Sequence, residues 1–203
     1  MGDIKQNIKS DIKTYGSKAR ARQEAEKWYS DALNNFRDGS VQKIGPSRFM
    51  SGKIYVFRYD TPKTREELEW WDRNPIVLAL DPAGKNDCGI NLNLLPISIK
   101  EQMLDDLYNR MSGQIQTRTT RAALKADLQA PLTLSYDAAK RYLDRFGFGF
   151  AVRQYIPALK TKQAVVSYEN WHKIALCDFI QLEGSSVQRI RRQFSSYFKK
   201  WDI

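Results

Sequence analysis

The run Pro75-Ile76-Val77-Leu78-Ala79-Leu80-Asp81 limits what this chain can become more than any other stretch. Its apolar residues, Ile76 to Leu80, follow one another without a break, so neither face is offered to water. A short run of that kind reads as a strand buried on both sides. It is too apolar for a sheet edge, so Val77 and Leu78 are expected on a central strand. Before it, Gly52 to Tyr59 alternates Ile54, Val56 and Arg58 against Tyr55, Phe57 and Tyr59. β-Branched and aromatic residues dominate both sets, which marks a second strand. After it, Asp81 to Asp87 is dense in turn residues, and Cys88 to Asn93 returns as a third short strand. Three strands with short connections curl readily into a small SH3-like β-barrel, because closure removes exposed edges. The barrel is expected at about residues 49–96.

Helical signals surround this kernel. Ala25, Trp28, Ala32 and Phe36 recur on one helical face from Ser17, a plausible N-cap, to Asp38-Gly39. The sixteen residues before Ser17 alternate charge with weak periodicity, as a frayed tail does or a segment that orders on a partner. Thr64 to Glu67 fits a capping box that opens one or two helical turns carrying Leu68, Trp70 and Trp71. Ser98 to Glu101 is a second such box, followed by a stripe of Met103, Leu104, Leu107, Tyr108 and Met111. Ser112 to Thr120 reads as a loop and Arg121 to Gln129 as a short helix. Ser135 to Phe146 is helical, with Gly147 closing it. Phe148 to Ile156, Ala164 to Tyr168 and Trp171 to Leu176 read as further strands. Ser185 to Trp201 is an amphipathic terminal helix. The fold class is thus α+β: residues 1–45 form an N-terminal helical arm and residues 46–203 a single domain containing the barrel, with flanking helices and a basic C-terminal helix.

Chemistry is sparse in this sequence. His172 is the only histidine, so clusters of several histidines are excluded. On a strand, His172 and Cys177 would point to opposite faces, which removes a Cys/His nucleophilic pair. Cys88 and Cys177 fit no metal or redox spacing and read as buried thiols in a reducing cytoplasm. Asp60, Asp72 and Asp81 lie near strand ends, where carboxylates of a Mg²⁺-dependent nuclease could converge, but their spacing matches no metal motif. Gly84 to Gly89 lacks the phosphate-loop pattern and reads as a hairpin turn. The chain is therefore expected to be a non-enzyme, with no metal, no cofactor and no small-molecule substrate. No stretch reaches the roughly 18 apolar residues of a membrane span, and the N-terminus has no secretory core.

Charge points to the partner class. The net charge is +10, shared as 17 basic against 13 acidic residues in 1–100 and 16 against 10 in 101–203. Such a field attracts nucleic acid or acidic protein surfaces. The excess is spread over both halves, and only Ser185 to Ile203 is locally concentrated, with Arg189, Arg192, Lys199 and Lys200 falling off a stripe of Val187, Ile190, Phe194, Tyr197 and Trp201. Cations interleaved with aromatic rings suit phosphate contact with an apolar anchor, as well as an ordinary solvated helix. Trp70 and Trp71 could stack on bases, or serve the core or a protein interface.

A resemblance extends this. The series Gly52 to Asp60, Pro62-Lys63-Thr64, Trp71 to Val77 and Gly89 to Pro96 resembles a pattern in structural virion proteins of contractile-tailed, T4-like bacteriophages, with looser similarity through Arg153 to Ile156 and Trp171 to Arg192. Asn93, where the pattern has an aromatic residue or histidine, and Thr61, inserted before Pro62, depart from it. The resemblance implies a structural or assembly subunit of the tail, baseplate or neck, in a multi-copy assembly with other virion proteins. It would be assembled in the host cytoplasm and contact packaged DNA, and it brings no catalytic residues. The alternative is a DNA- or RNA-binding accessory protein that acts free in the cytoplasm.

Overall fold

The computed structural model describes residues 4–35, 41–43, 47–60, 66, 68–116, 135–177, 181–184, 187–188 and 192. Two helices come first, α1 (Ile4–Tyr15) and α2 (Lys18–Asn35). Ser17 caps α2 as its side chain predicts, with the Arg20 amide donating to Ser17 Oγ at 3.2 Å. The segment before Ser17 is no frayed tail: Ile4 and Ile8 stand one turn apart on α1, and both are buried.

The described residues hold eight strands in two sheets: β1 (Val41–Lys43), β2 (Ile54–Arg58), β3 (Trp71–Asp72), β4 (Ile76–Ala83), β5 (Asn86–Asn91), β6 (Val152–Tyr155), β7 (Thr161–Val166) and β8 (Leu182–Glu183). Six of them make one antiparallel sheet in the order β1-β7-β2-β4-β5-β6, and β3 pairs with β8. β4 is central, as its apolar run requires, and Val77 and Leu78 are both buried.

The SH3-like barrel does not form among the described residues. β2, β4 and β5 are adjacent, but β7 adds beside β2 and β6 beside β5, so the sheet grows at both sides and stays open. The edges that closure would have removed are covered by strands from the far end of the chain.

The alternation along the strands then sorts two cores. Ile54, Val56, Ile76, Leu78 and Leu80 face a layer built from α1, α2, α3 (Ile97–Gln116) and α5 (Trp171–Leu176). Tyr55, Phe57, Tyr59, Val77 and Ala79 face the other way, into an aromatic cluster with Phe49, Trp71 and Tyr155. Phe57 meets Tyr155 edge-on with ring centroids 5.3 Å apart.

Three local expectations fail. Trp171–Leu176 is the helix α5, not a strand: a short apolar run carries no periodicity to separate the two, and Trp171, Ile174 and Ala175 together fit one helical face. Ser112–Gln116 continues α3 instead of opening a loop. Trp71 lies on β3, not on a helical turn. Helix α4 (Tyr136–Asp144) does end as expected. Gly147 sits at φ 80°, the Phe148 amide donates to the Leu143 carbonyl, and the Gly147 amide donates to Asp144. The helix expected at Arg121 to Gln129 lies outside the described residues.

Candidate nucleic-acid interface

The end of the sheet where β2 finishes and β4 begins carries a recess of about 260 Å³. One wall is α2, through Ser30, Leu33 and Asn34. The rest of the lining is Arg58 from β2, Lys162 from β7, Arg73 and Asn74 from the turn after β3, and Gln181. Three cations therefore converge with two amides that are already fixed, since Asn74 Nδ2 donates to Gln181 Oε1 at 2.6 Å.

Local strand irregularity is what brings the cations together. The β2–β7 ladder shifts register between Val56↔Ala164 and Arg58↔Thr161, so β7 carries an extra residue there. Lys162 lies in that bulge and takes φ 49°, the one non-glycine positive φ among the described residues. An L-residue with a long side chain pays strain in that region. The bulge places Lys162 beside Arg58 on the recess.

Carboxylates steady the arginines. Asp60 Oδ2 lies 3.0 Å from Arg73 Nε and 3.7 Å from Arg58 Nη2, and Glu183 Oε1 is 3.9 Å from Arg73 Nη1. Under the recess runs a buried polar network. Asp72 accepts from Asn93 Nδ2 at 2.8 Å, Asn91 Nδ2 at 3.1 Å and the Asn74 amide at 3.2 Å. The Tyr29 hydroxyl of α2 donates to the Asn74 carbonyl at 2.6 Å. Burial pushes the Asp72 carboxyl up to about 6, and the hydrogen bonds it accepts, from Asn93 first, only partly hold it down. This network fixes the Arg73-Asn74 turn from below.

The sequence-named residues fall elsewhere. Trp71 is buried in the aromatic cluster. Trp70 is half-buried, with the Arg153 guanidinium 4.1 Å above its ring. Arg192 is helical and exposed, whereas Arg189, Lys199 and Lys200 lie outside the described residues. Asp60 and Asp72 are tied into separate ion-pair and amide networks, and Asp81 is half-buried on β4. No group of three or more His, Cys, Asp or Glu able to hold a metal ion occurs among the described residues. His172 turns to α1, its Nε2 3.3 Å from Asp11 Oδ2. Because that segment is helical, opposite strand faces no longer separate it from Cys177, whose side chain is buried in the core.

A second recess, of about 250 Å³ between α1, α2 and α5, mixes Asp11, Glu24 and Asp31 with Lys27 and Lys173. Its mixed sign suits no polyanion. The recess at the β2–β4 end differs: its lining carries three cations and several amides, and the carboxylates that pair with the arginines, Asp60 and Glu183, stand outside that lining.

Fold and site together describe an α+β protein with a cation-lined recess at one end of its sheet. Residues 1–188 match the family model described as phage T4 terminal DNA protecting protein, and the chain belongs to that family. It is thus a bacteriophage protein of a DNA-associated family, which bears out the likeness to T4-like phage proteins. No curated protein and no solved structure matches the chain.

The sequence reading missed Arg58, Arg73 and Lys162. Each looks like a lone surface charge, and the one available signal was Asp72-Arg73-Asn74-Pro75, a polar turn set directly before the most apolar strand.

Proposed function

We propose that the chain binds the ends of phage DNA and shields them by occupancy, as a non-enzymatic component of the virion assembled in the host cytoplasm. The observation that carries this reading is the convergence of Arg58, Arg73 and Lys162 on one recess, in a family whose description is protection of terminal DNA. A net charge of +10 supplies the long-range attraction to a polyanion. The C-terminal cations Arg189, Arg192, Lys199 and Lys200 add phosphate contacts along the duplex. A place in the tail, baseplate or neck belongs to the same proposal.

Protection is measured as survival of linear duplex DNA against an exonuclease, with protein added before the enzyme. Survival should rise with protein, and binding should weaken steeply with salt. Changing the four C-terminal cations to Gln should flatten the slope of log K against log [salt] by about three units, at roughly 0.7–0.9 per phosphate contact. The protein alone, with Mg²⁺ or Mn²⁺, should leave linear DNA intact. Cleavage lost on changing Asp60, Asp72 or Asp81 to Asn would overturn the non-enzymatic reading. Mass spectrometry of purified particles should find the chain at fixed copy number, and its absence would make it a free accessory factor instead.

A further inference from the structure

We propose that the recess at the β2–β4 end of the sheet is a phosphomonoester site, which receives the terminal phosphate of a DNA strand and so distinguishes an end from the interior of a duplex. The inference rests on the DNA-binding reading above and names the group that its cationic site takes.

Shape argues first. A volume of about 260 Å³ falls just under the roughly 300–1,000 Å³ of clefts that hold whole small molecules. It admits a phosphate with the sugar behind it. An internal phosphate of a duplex is tethered on both sides to a convex rod, which limits how far it can enter a recess. A terminal phosphate is tethered on one side and can protrude.

Charge argues second. A phosphomonoester carries about −1.5 to −2 at neutral pH and offers three terminal oxygens, whereas an internal diester carries a single charge on two. Arg58, Arg73 and Lys162 supply donors from three separate segments, and the fixed Asn74–Gln181 amide pair lines the same recess. Charge-assisted hydrogen bonds of this sort are the strong ones. Asp60 takes the Nε side of Arg73 at 3.0 Å and so sets the orientation of the guanidinium.

Backbone strain argues third, and independently. A general basic surface has no need of a bulge with Lys162 at φ 49°. Strain of this kind persists where the surroundings impose it, and it gathers at ligand clamps. Here it places the third cation on the recess, beside Arg58.

The test uses the full chain and one short blunt duplex in three forms: 5′-phosphorylated, 3′-phosphorylated, and with hydroxyls at every end. Binding is followed by fluorescence anisotropy at fixed salt. One phosphorylated form should bind at least about tenfold tighter than the hydroxyl form, the scale of one or more charge-assisted hydrogen bonds, and which form it is assigns the strand end. Lys162→Asn removes the charge while keeping a residue that accepts positive φ. It should abolish the preference, so that the variant binds the phosphorylated and hydroxyl duplexes alike. Arg73→Gln should do the same by a second route. Lys85→Gln, in the exposed β4–β5 turn at the opposite end of β4, should keep the preference. Inorganic phosphate should compete with the phosphorylated duplex more effectively than with the hydroxyl one.

Equal binding of all three duplexes by the unaltered chain would overturn the phosphomonoester site and leave end binding standing. A preference that survives both Lys162→Asn and Arg73→Gln would place the site elsewhere and overturn it as well. Failure to bind any duplex would remove the DNA-binding reading together with the inference.

Discussion

Replacing Asp87 by Asn would leave Lys160 buried as a cation with nothing to balance it. Lys160 is 2% exposed and Asp87 1%. The Nζ–Oδ2 separation is 2.5 Å, and the ammonium also donates to the Ser47 carbonyl at 2.7 Å and lies 4.0 Å over the Phe49 ring. Asp87 has further partners: Arg48 Nε at 2.8 Å and the Phe49 amide at 3.2 Å. The two halves of the pair are therefore unequal. Asp87→Asn removes the carboxylate that pairs with two neighbouring cations and should cost about 3–5 kcal/mol. Lys160→Met leaves Asp87 with Arg48 and Phe49 and should cost about 1–3 kcal/mol. The double variant should cost less than the sum, by about 0.5–3 kcal/mol. A pH arm separates charge from packing. Burial already lowers the Lys160 ammonium below its usual range, while Asp87 pulls the other way. Without Asp87 the folded value drops further below the unfolded one. Between those two values the unfolded chain binds more protons, so stability rises with pH. The deficit of Asp87→Asn should thus narrow from neutral pH toward pH ~10, and that of Lys160→Met should not. Urea unfolding at several pH values measures all of this. Equal costs for the two single variants, or a deficit independent of pH, would refute the reasoning.

Three further outcomes are expected. Val77→Asp puts an unpaired carboxylate into the central strand and should cost several kcal/mol, visible as a large fall in Tm. Gly89→Ala drives a Cβ against Val77 Cγ1 and to 2.9 Å from the Leu78 carbonyl oxygen; the crowding should cost about 1–3 kcal/mol, read by urea unfolding. Asp72 binds its proton more tightly in the folded chain, so its ionisation should erode stability as pH rises from about 4 to 6. Asp72→Asn should flatten that part of the pH–stability curve, by up to about 3 kcal/mol.

The central sheet was legible because its strands announce themselves locally. Ile76 to Leu80, short and bounded by Pro75 and Pro82, favoured a buried central strand, and the alternation from Ile54 to Tyr59 assigns each residue to the face it occupies. Helices α2 and α4 were legible through Ser17, Ser135 and Gly147. The barrel misled because the strand neighbours of β2 and β5 come from residues 161–166 and 152–155, and nothing within residues 49–96 declares that distant strands will join. Trp171 to Leu176 misled for want of length: six residues, mostly apolar, fit either regular structure until the layer they pack against is known. The recess was illegible for the same reason as the barrel's failure. Its cations are separated by up to 104 positions, from Arg58 to Lys162, and become a site through a bulge that the sequence does not mark.

Pairing of β2 with β7, and of β1 with Val166 through Val41, also sets a timetable for synthesis. At about 5–20 residues per second, roughly 5–20 s separate the emergence of Arg58 from that of Thr161. During that interval the nascent chain can form the β2–β4–β5 meander, while one flank of β2 waits with its amides and carbonyls unpaired. α1 waits as well, because α5, against which it packs and whose His172 meets Asp11, is made later still. An open apolar strand edge invites pairing with another chain. A message truncated before Thr161 would make that exposure permanent, so nonsense fragments of this protein should collect in inclusion bodies and not survive as partly folded, DNA-binding remnants.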